Sequence, residues 1–415
     1  MPSQEKICIV NVRIFDGHAI RSPGSVHLAE GKIKAITGET TFKTDDNSGE
    51  FPVFAHGAVL IPGLIDCHVH LLGVEQLEQL RAFGVTSACD MTTHPLVLLN
   101  AIREIAGTNG LPNIKTAGIG AHYDHRGLDE NGRVFNEHEA KEFVDTQVAQ
   151  GADYIKAVLD EDKPHANMKS FPVHILHKLV HEAKRHHKMS ICHSISALGY
   201  AKATEAGFDI VTHGPMDAAY TGDKVQSEIL NYMYHQHTVD IPTVSLARSL
   251  VDRFNKAPPH GVENVKSWVK AMHTKGIRIL TGTDSNQSPG VPGHVLHGES
   301  MHDELEYFVE CGMTTTEALL AATKHPADVF GFKDRGEIKV GNVADLVLLK
   351  GDPLENIRNT RMIKQVWTQG IPVLPFRGLQ IAPQVPWGHD LQARYIQEQE
   401  EKRGNAVAKP APSCH

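Results

Sequence analysis

Short apolar runs alternate with amphipathic helical patterns through the middle of the chain. In the helical patterns, apolar residues recur at three- and four-residue spacing, as they do on one face of a helix. The helical patterns are Glu137–Ala149, Val173–His187 and Val262–Lys275, and strand-like runs lie near residues 85–91, 114–120, 153–159 and 238–244. This alternation of strands and helices predicts an α/β fold.

Both ends of the chain carry short strand-like runs separated by Gly and Asp turns. These runs lie within residues 6–61 and residues 336–374. Because the N-terminal half-module needs a partner, the economical interpretation is a β-sandwich closed by both ends. We therefore predict a β-sandwich domain from residues 1–61 and 336–380, a larger α/β domain over residues 62–335, and a C-terminal tail over residues 381–415.

Length and composition limit the classes of protein to which the chain can belong. Its 415 residues exceed the usual size of one domain, and with 41% hydrophobic residues it can bury a large core. A net charge of -8 and a pI near 6.4 argue against nucleic acid or an anionic membrane as a partner.

The cysteines and the apolar runs bear on the compartment. Six cysteines without paired spacing favour a reducing environment and free thiols. No basic, apolar leader opens the chain, and no apolar run reaches the length of about 18 residues that a membrane span requires. We therefore expect a cytoplasmic protein.

Two histidines follow an apolar run that enters through a Pro-Gly turn. Successive side chains of a strand point to opposite faces, so His68 and His70 project to one side and can bind one cation. Cys67 and Val69 are expected on the other side. Cys67, and likewise Cys192 beside His193, should face the opposite side of its strand, so packing is the expected role of both cysteines. The pair alone is a weak signal, because two nearby histidines are more often surface or core residues.

Further potential metal ligands lie in later strand-like runs. Such runs end at His193, His213 and Asp284, and another contains Lys156. Active sites at the C-terminal ends of successive strands are typical of a (β/α)8 TIM barrel. Any one of these histidines can be a hydrogen-bonded core residue. Their order along the chain, however, predicts a metal site in a (β/α)8 barrel over residues 62–335.

These stretches resemble the amidohydrolase superfamily of metal-dependent hydrolases, in its imidazolonepropionase-like and prolidase-like branch. They are also similar to ochratoxin-hydrolysing amidohydrolases. The resemblance covers roughly residues 5–375 and implies both the barrel and the β-sandwich. The matching stretches are Pro62–His70, Asp153–Lys156, Cys192–His193, Thr212–Gly214, Gly282–Asp284 and His297–Leu305.

The resemblance implies a centre with two metal ions bridged by a carboxylated lysine. The implied ligands are His68, His70 and Asp284 on the more buried ion, His193 and His213 on the more exposed ion, and Lys156 between them. Zn2+ is the expected metal, and Mn2+, Co2+ or Ni2+ can replace it, because geometry and availability decide occupancy as much as affinity does.

Lys156 decides what kind of site this is. A free lysine has a pKa of about 10.4, and its ammonium form repels cations. The resemblance implies that CO2 adds to the neutral amine to give a carbamate, and the apolar run around Lys156 favours the neutral form by desolvation. The alternative is an inward lysine paired with Asp284 or another acid.

The implied reaction is hydrolysis of an amide (C–N) bond in a small molecule, such as an N-acyl amino acid or an Xaa-Pro-like dipeptide. The expected nucleophile is a metal-bridging hydroxide, and Asp284 is the expected acid–base group. Cyclic amide or imidazolone hydrolysis and phosphotriester cleavage remain alternatives. A non-catalytic scaffold of the same fold is disfavoured, because such relatives typically lose ligands.

Loops that follow the strands are expected to contact the substrate. His122 is a candidate catalytic and oxyanion-binding residue, and loop packing is its alternative role. Tyr123 beside it and His297 are further candidate contacts, and Arg126 can bind a carboxylate unless it is a surface residue. Arg248 is a weaker candidate of the same kind. Members of the superfamily are often oligomeric, so a homo-oligomer that binds a small-molecule substrate is expected.

Overall fold

The computed structural model describes residues 6–43, 49–123, 130–159, 170–252, 258–288, 291 and 293–373. The predicted tail, residues 381–415, lies outside these residues. Within them the strands are β1 (Lys6–Ile14), β2 (Gly24–Ala29), β3 (Lys32–Thr37), β4 (Glu50–Phe54), β5 (Val59–Pro62), β6 (Leu64–Val69), β7 (Val85–Asp90), β8 (Asn113–Thr116), β9 (Ala121–His122), β10 (Ile155–Val158), β11 (Ser190–His193), β12 (Ile210–Thr212), β13 (Val239–Ile241), β14 (Leu346–Leu349), β15 (Ile363–Thr368) and β16 (Ile371–Val373).

The helices of the described residues lie between these strands and before β14. They are α1 (Val74–Ala82), α2 (Leu96–Ile105), α3 (Glu137–Ala149), α4 (Val173–Arg185), α5 (Ala197–Ala206), α6 (Lys224–Gln236), α7 (Val244–Asp252), α8 (Gly261–Lys275), α9 (Glu299–Glu310), α10 (Thr315–Ala321) and α11 (Lys324–Phe330). The three helices predicted from apolar spacing are confirmed as α3, α4 and α8. No helix of the described residues is both long enough and apolar enough to cross a membrane.

Strands from both ends of the chain join in one sheet, the terminal sheet. Its order is β16-β15-β14-β5-β1-β2-β3, and β4 pairs with β1 beside this path. The two ends meet where β14 runs antiparallel to β5. Alternate apolar residues of the strands, including Ile7, Ile9, Leu346 and Leu348, fill one core with Trp367. The two ends of the chain therefore depend on each other for burial.

The middle of the chain forms two parallel sheets with helices between successive strands. One sheet has the order β6-β7-β8, and the other has the order β13-β12-β11-β10-β9. The amide of Asp153, just before β10, donates to the carbonyl of Thr116 on β8 at 2.8 Å. The paired strands of the described residues therefore do not form one closed sheet, although a hydrogen bond connects the two sheets at this edge.

The strand-like run that ends at Asp284, residues 277–284, makes isolated bridges instead of a regular ladder. The amide of Leu280 donates to the carbonyl of Asp240 at 2.9 Å, and the amide of Cys67 donates to the carbonyl of Thr281 at 2.9 Å. Ile279 bridges to β13, and Ser285 bridges to Val69 at the end of β6. This segment therefore lies between the other edges of the two sheets.

Alternate residues of the parallel strands belong to two different apolar clusters. The inner cluster contains Tyr154, Ile191, Ile210 and Leu280. The outer cluster contains the intervening residues, such as Ile155, Ala157, Cys192 and Val211, together with helix residues such as Leu179 and Ala203. Lys156 follows Tyr154 by two residues and His193 follows Ile191 by two residues, so both project toward the inner side.

Cys67 departs from the alternation that the sequence predicts. Cys192 packs in the outer cluster as expected, but Cys67 packs in the inner cluster beside Ile65. The prediction that Cys67 faces away from that side is therefore wrong, while its packing role is confirmed by its complete burial. The physical reason is an irregularity in β6, whose register against β7 shifts between Asp66 and Val69.

Candidate metal centre

Three predicted histidine ligands from two segments, His68 and His70 on one and His213 on another, surround the carboxylate of Asp284 on a third. Oδ1 of Asp284 lies 3.0 Å from Nε2 of His70 and 3.3 Å from Nε2 of His68, and Oδ2 lies 4.0 Å from Nδ1 of His213. One ligand atom each from His68, His213 and Asp284 all lie within 4.8 Å of one another, and these three residues are buried. The cluster is therefore compact enough to hold a cation.

His193 and Lys156 extend the cluster along the neighbouring strand ends. The ring centroids of His193 and His213 are 4.2 Å apart, and those of His68 and His213 are 4.8 Å apart. Lys156 is 2% exposed, and its Nζ donates to Oγ1 of Thr212 at 2.9 Å. The structure thus brings the predicted ligands together at one end of the parallel strands.

Two of the clustered residues have the left-handed backbone conformation. His213 has a φ of 71° and Asp284 a φ of 55°, and each lies just beyond a strand-like segment. Side chains other than glycine rarely adopt this conformation, and it recurs at functional sites. At both positions the turn of the backbone ends the regular alternation of the strand and aims the side chain into the cluster.

A glycine permits the close approach of two of the segments. A Cβ atom at Gly282 would lie 2.9 Å from Cβ of His68 and 2.4 Å from Cγ2 of Ile241. Any larger residue would therefore push the segment that carries Asp284 away from β6. Gly282 lies two residues before Asp284 in the Gly-Thr-Asp run, and this close approach gives a steric reason for a glycine at that position.

Neighbouring polar groups orient two of the imidazoles. Nδ1 of His70 donates to the carbonyl of Thr92 at 3.0 Å, and Nδ1 of His213 lies 2.8 Å from Oγ1 of Thr243. Nε2 of His213 is buried and has no hydrogen-bond partner within the described part of the chain. Histidines that bind metals use their second nitrogen in this way, which fixes the ring and leaves the other nitrogen for the cation.

Burial lowers the pKa of two imidazoles of the cluster and of Lys156. Burial, followed by nearby positive groups, holds the pKa of His68 and of His213 well below the usual range for histidine. Burial also lowers the pKa of Lys156 to about 8, although Asp284 opposes this shift. Neutral imidazoles are the form that ligates a metal.

The donor set fits a divalent cation. It combines imidazole nitrogens with a carboxylate, which are the ligands that Zn2+ and related ions accept. A second nitrogen, Nδ1 of His68, is also buried without a hydrogen-bond partner among the described residues. Buried polar groups without partners cost free energy, and a cation bound among them would remove part of that cost.

The other predicted site residues lie around this cluster or outside the described residues. His122 is fully buried on β9, opposite Val158 of β10, next to the strand that carries Lys156. Nε2 of His297 donates to the carbonyl of His70 at 2.9 Å, so this ring supports the metal-ligand segment. Arg126 lies outside the described residues.

Tyr123 and Arg248 are placed by neighbouring side chains. The ring of Tyr123 meets the rings of Phe135 and Phe171 edge-on, with centroids 5.3 Å and 5.7 Å away. Arg248 lies 3.6 Å from Asp252 on the surface of α7, with half of its side chain exposed. Tyr123 therefore belongs to an aromatic wall, and Arg248 takes part in a surface ion pair.

The sequence interpretation missed the residues that hold the ligands in place. Asp66 accepts hydrogen bonds from the amides of His68 and Thr283, each at 3.1 Å. A carboxylate inside the apolar run before His68 was the available signal for Asp66. Thr92 and Thr243 gave no signal, because their contacts depend on where two other strands end.

The fold and the site define the class of protein. Residues 59–373 match the model of the amidohydrolase family, and the chain belongs to that family. The resemblance inferred from the sequence is thereby confirmed.

Several known proteins are similar to this chain in sequence or in fold. The chain is similar to ochratoxinase of Aspergillus niger, with 24% identity over 402 residues that cover 81% of this chain and 79% of that protein. Its fold is similar to that of a solved Xaa-Pro dipeptidase with bound methionine, with 22% identity, a TM-score of 0.74, and coverage of 89% of this chain and 100% of that one. The solved ochratoxinase of A. niger has 19% identity and a TM-score of 0.71, over 91% of this chain and 96% of that one.

Proposed function

We propose that the protein is a metal-dependent hydrolase that cleaves an amide bond of a small molecule. One observation carries the proposal: Asp284, His68, His70 and His213 converge from separate segments, and neighbouring groups hold two of the imidazoles by Nδ1. Membership of the amidohydrolase family supports the same chemistry. Family membership by itself does not decide the substrate.

The proposed ligands are the clustered residues. They are His68, His70, His193, His213, Asp284 and a carboxylated Lys156, with Zn2+ as the default metal and Mn2+, Co2+ or Ni2+ as substitutes. When bound, such cations supply Lewis acidity, which polarises a carbonyl and lowers the pKa of water. Two ions per chain agree with the number of donors.

Lys156 is suited to carboxylation by its surroundings. Its amine is buried and donates to the Thr212 hydroxyl at 2.9 Å. Gly120 lies beside this side chain, and a Cβ atom at that position would be in ordinary van der Waals contact with Cγ of Lys156 at 3.5 Å. The ammonium form first loses a proton, and addition of CO2 to the resulting neutral amine forms an N–C bond and releases a second proton. A repulsive cation thereby becomes an anionic ligand.

Asp284 is the proposed acid–base group. Its Oδ1 lies at the centre of the cluster, within 3.3 Å of both His68 and His70. A carboxylate in this position can accept a proton from the attacking water and deliver it to the departing amine. The surrounding imidazoles hold the carboxylate in place, and the buried setting limits competing water.

The proposed substrate is an N-acyl amino acid, an Xaa-Pro-like dipeptide or a related amide such as an ochratoxin. The similarity to ochratoxinase and to an Xaa-Pro dipeptidase supports these classes. Tyr123, with Phe135 and Phe171, offers an aromatic wall for the apolar part of such a molecule. His122 is the proposed oxyanion contact. His297 and Arg126 are the remaining proposed substrate contacts.

The finer architecture is proposed on the same basis. The two parallel sheets and residues 277–285 are taken to complete a (β/α)8 barrel over residues 62–335, and the terminal sheet a β-sandwich from residues 1–61 and 336–380. We also propose a cytoplasmic homo-oligomer whose partner is its small-molecule substrate, with neither nucleic acid nor a membrane as a partner.

A substrate panel tests the proposed function. Purified, metal-loaded protein is assayed with N-acyl amino acids, Xaa-Pro dipeptides and ochratoxin A, and with cyclic amides and phosphotriesters for comparison. We expect hydrolysis of at least one linear amide, and loss of turnover in Asp284→Asn with at least one metal still bound. Near-normal activity of that variant would contradict the role of Asp284, and exclusive hydrolysis of another bond class would contradict the proposed reaction.

A further inference from the structure

Three side chains of different chemistry meet on the terminal sheet, away from the candidate metal centre. They are Cys8 on β1, His27 on β2 and Glu50 on β4. Cys8 is the direct cross-strand partner of His27, and Glu50 lies on the strand at the other side of β1, opposite Lys6. The three residues therefore come from three adjacent strands.

All three side chains lie on the same face of the sheet. Ile7 and Ile9 enter the core of the terminal sheet, so Cys8 between them points to the opposite face. His27 alternates in the same way between Val26 and Leu28, which also belong to that core. The three side chains are brought together by the register of β1 with β2 and with β4.

The imidazole lies between the thiol and the carboxylate, so one ion can bind all three groups only when the Glu50 carboxylate turns from Nδ1 of His27 toward the ion held by Nε2 and Sγ. Nε2 of His27 lies 3.9 Å from Sγ of Cys8, and Nδ1 lies 3.0 Å from both oxygens of Glu50. One ligand atom from each of the three residues falls within 4.8 Å of the others. Two ligands of one tetrahedral Zn2+, a sulfur and a nitrogen, are about 3.6 Å apart, given bonds of about 2.3 Å and about 2.0 Å.

Charge and access also suit a divalent cation. A thiolate and a carboxylate together neutralise the two charges of the ion, and the imidazole and a water complete four ligands. The side chain of His27 is 25% exposed and that of Glu50 is 16% exposed, so an ion can enter from solvent. Cys8 lies beneath them with 3% exposure.

The same three residue types also occur in thiol enzymes, but the geometry disfavours that role. A nucleophile and its base usually lie within about 2.6–3.2 Å of each other, and the Cys8–His27 distance of 3.9 Å is longer. The sulfur is also nearly inaccessible to a substrate from outside.

We propose that Cys8, His27 and Glu50 form a second divalent-metal site, with Zn2+ as its ion and a structural role. Thiolate ligation distinguishes this site from the candidate metal centre, whose ligands are nitrogen and oxygen. Within the described strands β4 pairs only with β1, beside the main strand path. A shared ion would link β4 to β2 across β1 and stabilise the terminal sheet.

Cobalt titration of the chelator-treated full chain tests the site. Co2+ bound by a thiolate gives an intense near-ultraviolet charge-transfer band, and Co2+ at the candidate metal centre cannot give it. Cys414 is replaced by serine in every sample, so that its thiol does not contribute. We expect the band in this parent, its loss in Cys8→Ser, and its retention in Cys311→Ser, where another buried thiol is removed from the protein.

Two further variants give a reading that does not depend on the Cys8 substitution. Glu50→Gln and His27→Gln retain the thiol but lose a ligand, so each should weaken Co2+ and Zn2+ affinity by at least about tenfold. Zn2+ should raise the melting temperature of the parent more than that of either variant. The proposal is overturned if the parent shows no thiolate band, if Cys8→Ser retains it, or if neither Gln variant changes affinity.

Discussion

The Thr283 hydroxyl donates a hydrogen bond to Oδ2 of Asp66 at 2.7 Å. This contact joins the β6 strand end, which carries His68, to the segment that carries Asp284. The Thr283 hydroxyl oxygen also accepts from the amide of Ser285 at 3.0 Å, so it fixes the backbone on both sides of Asp284. Two proposed ligands from distant parts of the chain, His68 and Asp284, are thus positioned by Thr283, which is not one of the proposed ligands.

Replacing Thr283 by valine should therefore weaken metal binding without unfolding the protein. The valine keeps the shape but removes the bonds to Asp66 and Ser285, and changes next to metal ligands typically cost about 10- to 100-fold in affinity or activity. Metal affinity is measured by competition with a chelating dye. Thr281→Val is the matched control, since the Thr281 hydroxyl has no hydrogen-bond partner among the described residues. Equal affinities of the two variants would contradict the role of Thr283.

The Thr243 hydroxyl should fix the ring of His213. Thr243→Val removes the group that lies 2.8 Å from Nδ1 of His213, whereas Thr243→Ser retains it. We expect a loss of about 10- to 100-fold in metal affinity for the valine variant and a value near wild type for the serine variant. The same dye competition measures both. If Thr243→Ser loses as much metal affinity as Thr243→Val, the backbone geometry at Thr243, and not its hydroxyl, controls the site.

Carboxylation of Lys156 should be visible directly. Protein equilibrated with 13C-labelled bicarbonate is expected to show a carbamate carbon resonance, because the buried amine of Lys156 can react when neutral. Lys156→Met should lack this resonance and lose metal. Lys115→Met is the control, because Lys115 lies outside the cluster near Asp153. A resonance that persists in Lys156→Met would assign the carbamate to another amine.

Glu304 should make stability depend on pH. This side chain in α9 is fully buried, its Oε1 accepts from the Ser245 amide at 2.5 Å, and burial raises its pKa from 4.5 to about 8. Between these values the folded chain holds a proton that the unfolded chain has released, so stability falls as pH rises through this window. Glu304→Gln removes this titration, so its unfolding free energy should not fall with pH in the way that of the wild type does. Between about pH 5 and about pH 8, the unfolding free energy of the variant should gain a few kcal/mol relative to that of the wild type.

Glu306 on the same helix provides a control of opposite sign. Burial acts to raise its pKa, but hydrogen bonds from Arg361 and Arg358 outweigh burial and lower it. Its contribution to stability is therefore present above the unfolded pKa and is lost only as pH falls through the folded pKa. Urea unfolding of Glu306→Gln should parallel the wild type above about pH 5. A parallel curve for Glu304→Gln would show that Glu304 does not titrate in this range.

Much of the organisation was accessible from periodicity and ligand order. The helix predicted at Glu137–Ala149 is confirmed with the same limits, and the runs near 85–91 and 153–159 contain β7 and β10. Apolar spacing reports burial of one face, which a regular element needs whatever its neighbours are. The predicted ligands lie together for a similar reason, because successive parallel strands end at the same side of the molecule.

Other features depend on contacts that no local pattern records. Cys67 lies in the inner cluster because β6 slips in register against β7, which alternation alone cannot reveal. The positive φ angles of His213, Thr243 and Asp284 carry no reliable local signal, since few residues other than glycine adopt that conformation and β-branched threonine is unfavourable there. The Cys8 and His27 pairing likewise required the antiparallel register of β1 and β2.

The central claim is that the cluster around Asp284 binds the catalytic metal. The most direct test is metal content per chain by mass spectrometry, with amide hydrolysis assayed on the same samples, in a Cys8→Ser background that removes the proposed sheet site. We expect stoichiometric metal and activity in this parent, and loss of both in folded His68→Gln/His70→Gln protein. A well-folded parent without bound metal, or a double variant with unchanged metal content, would contradict it.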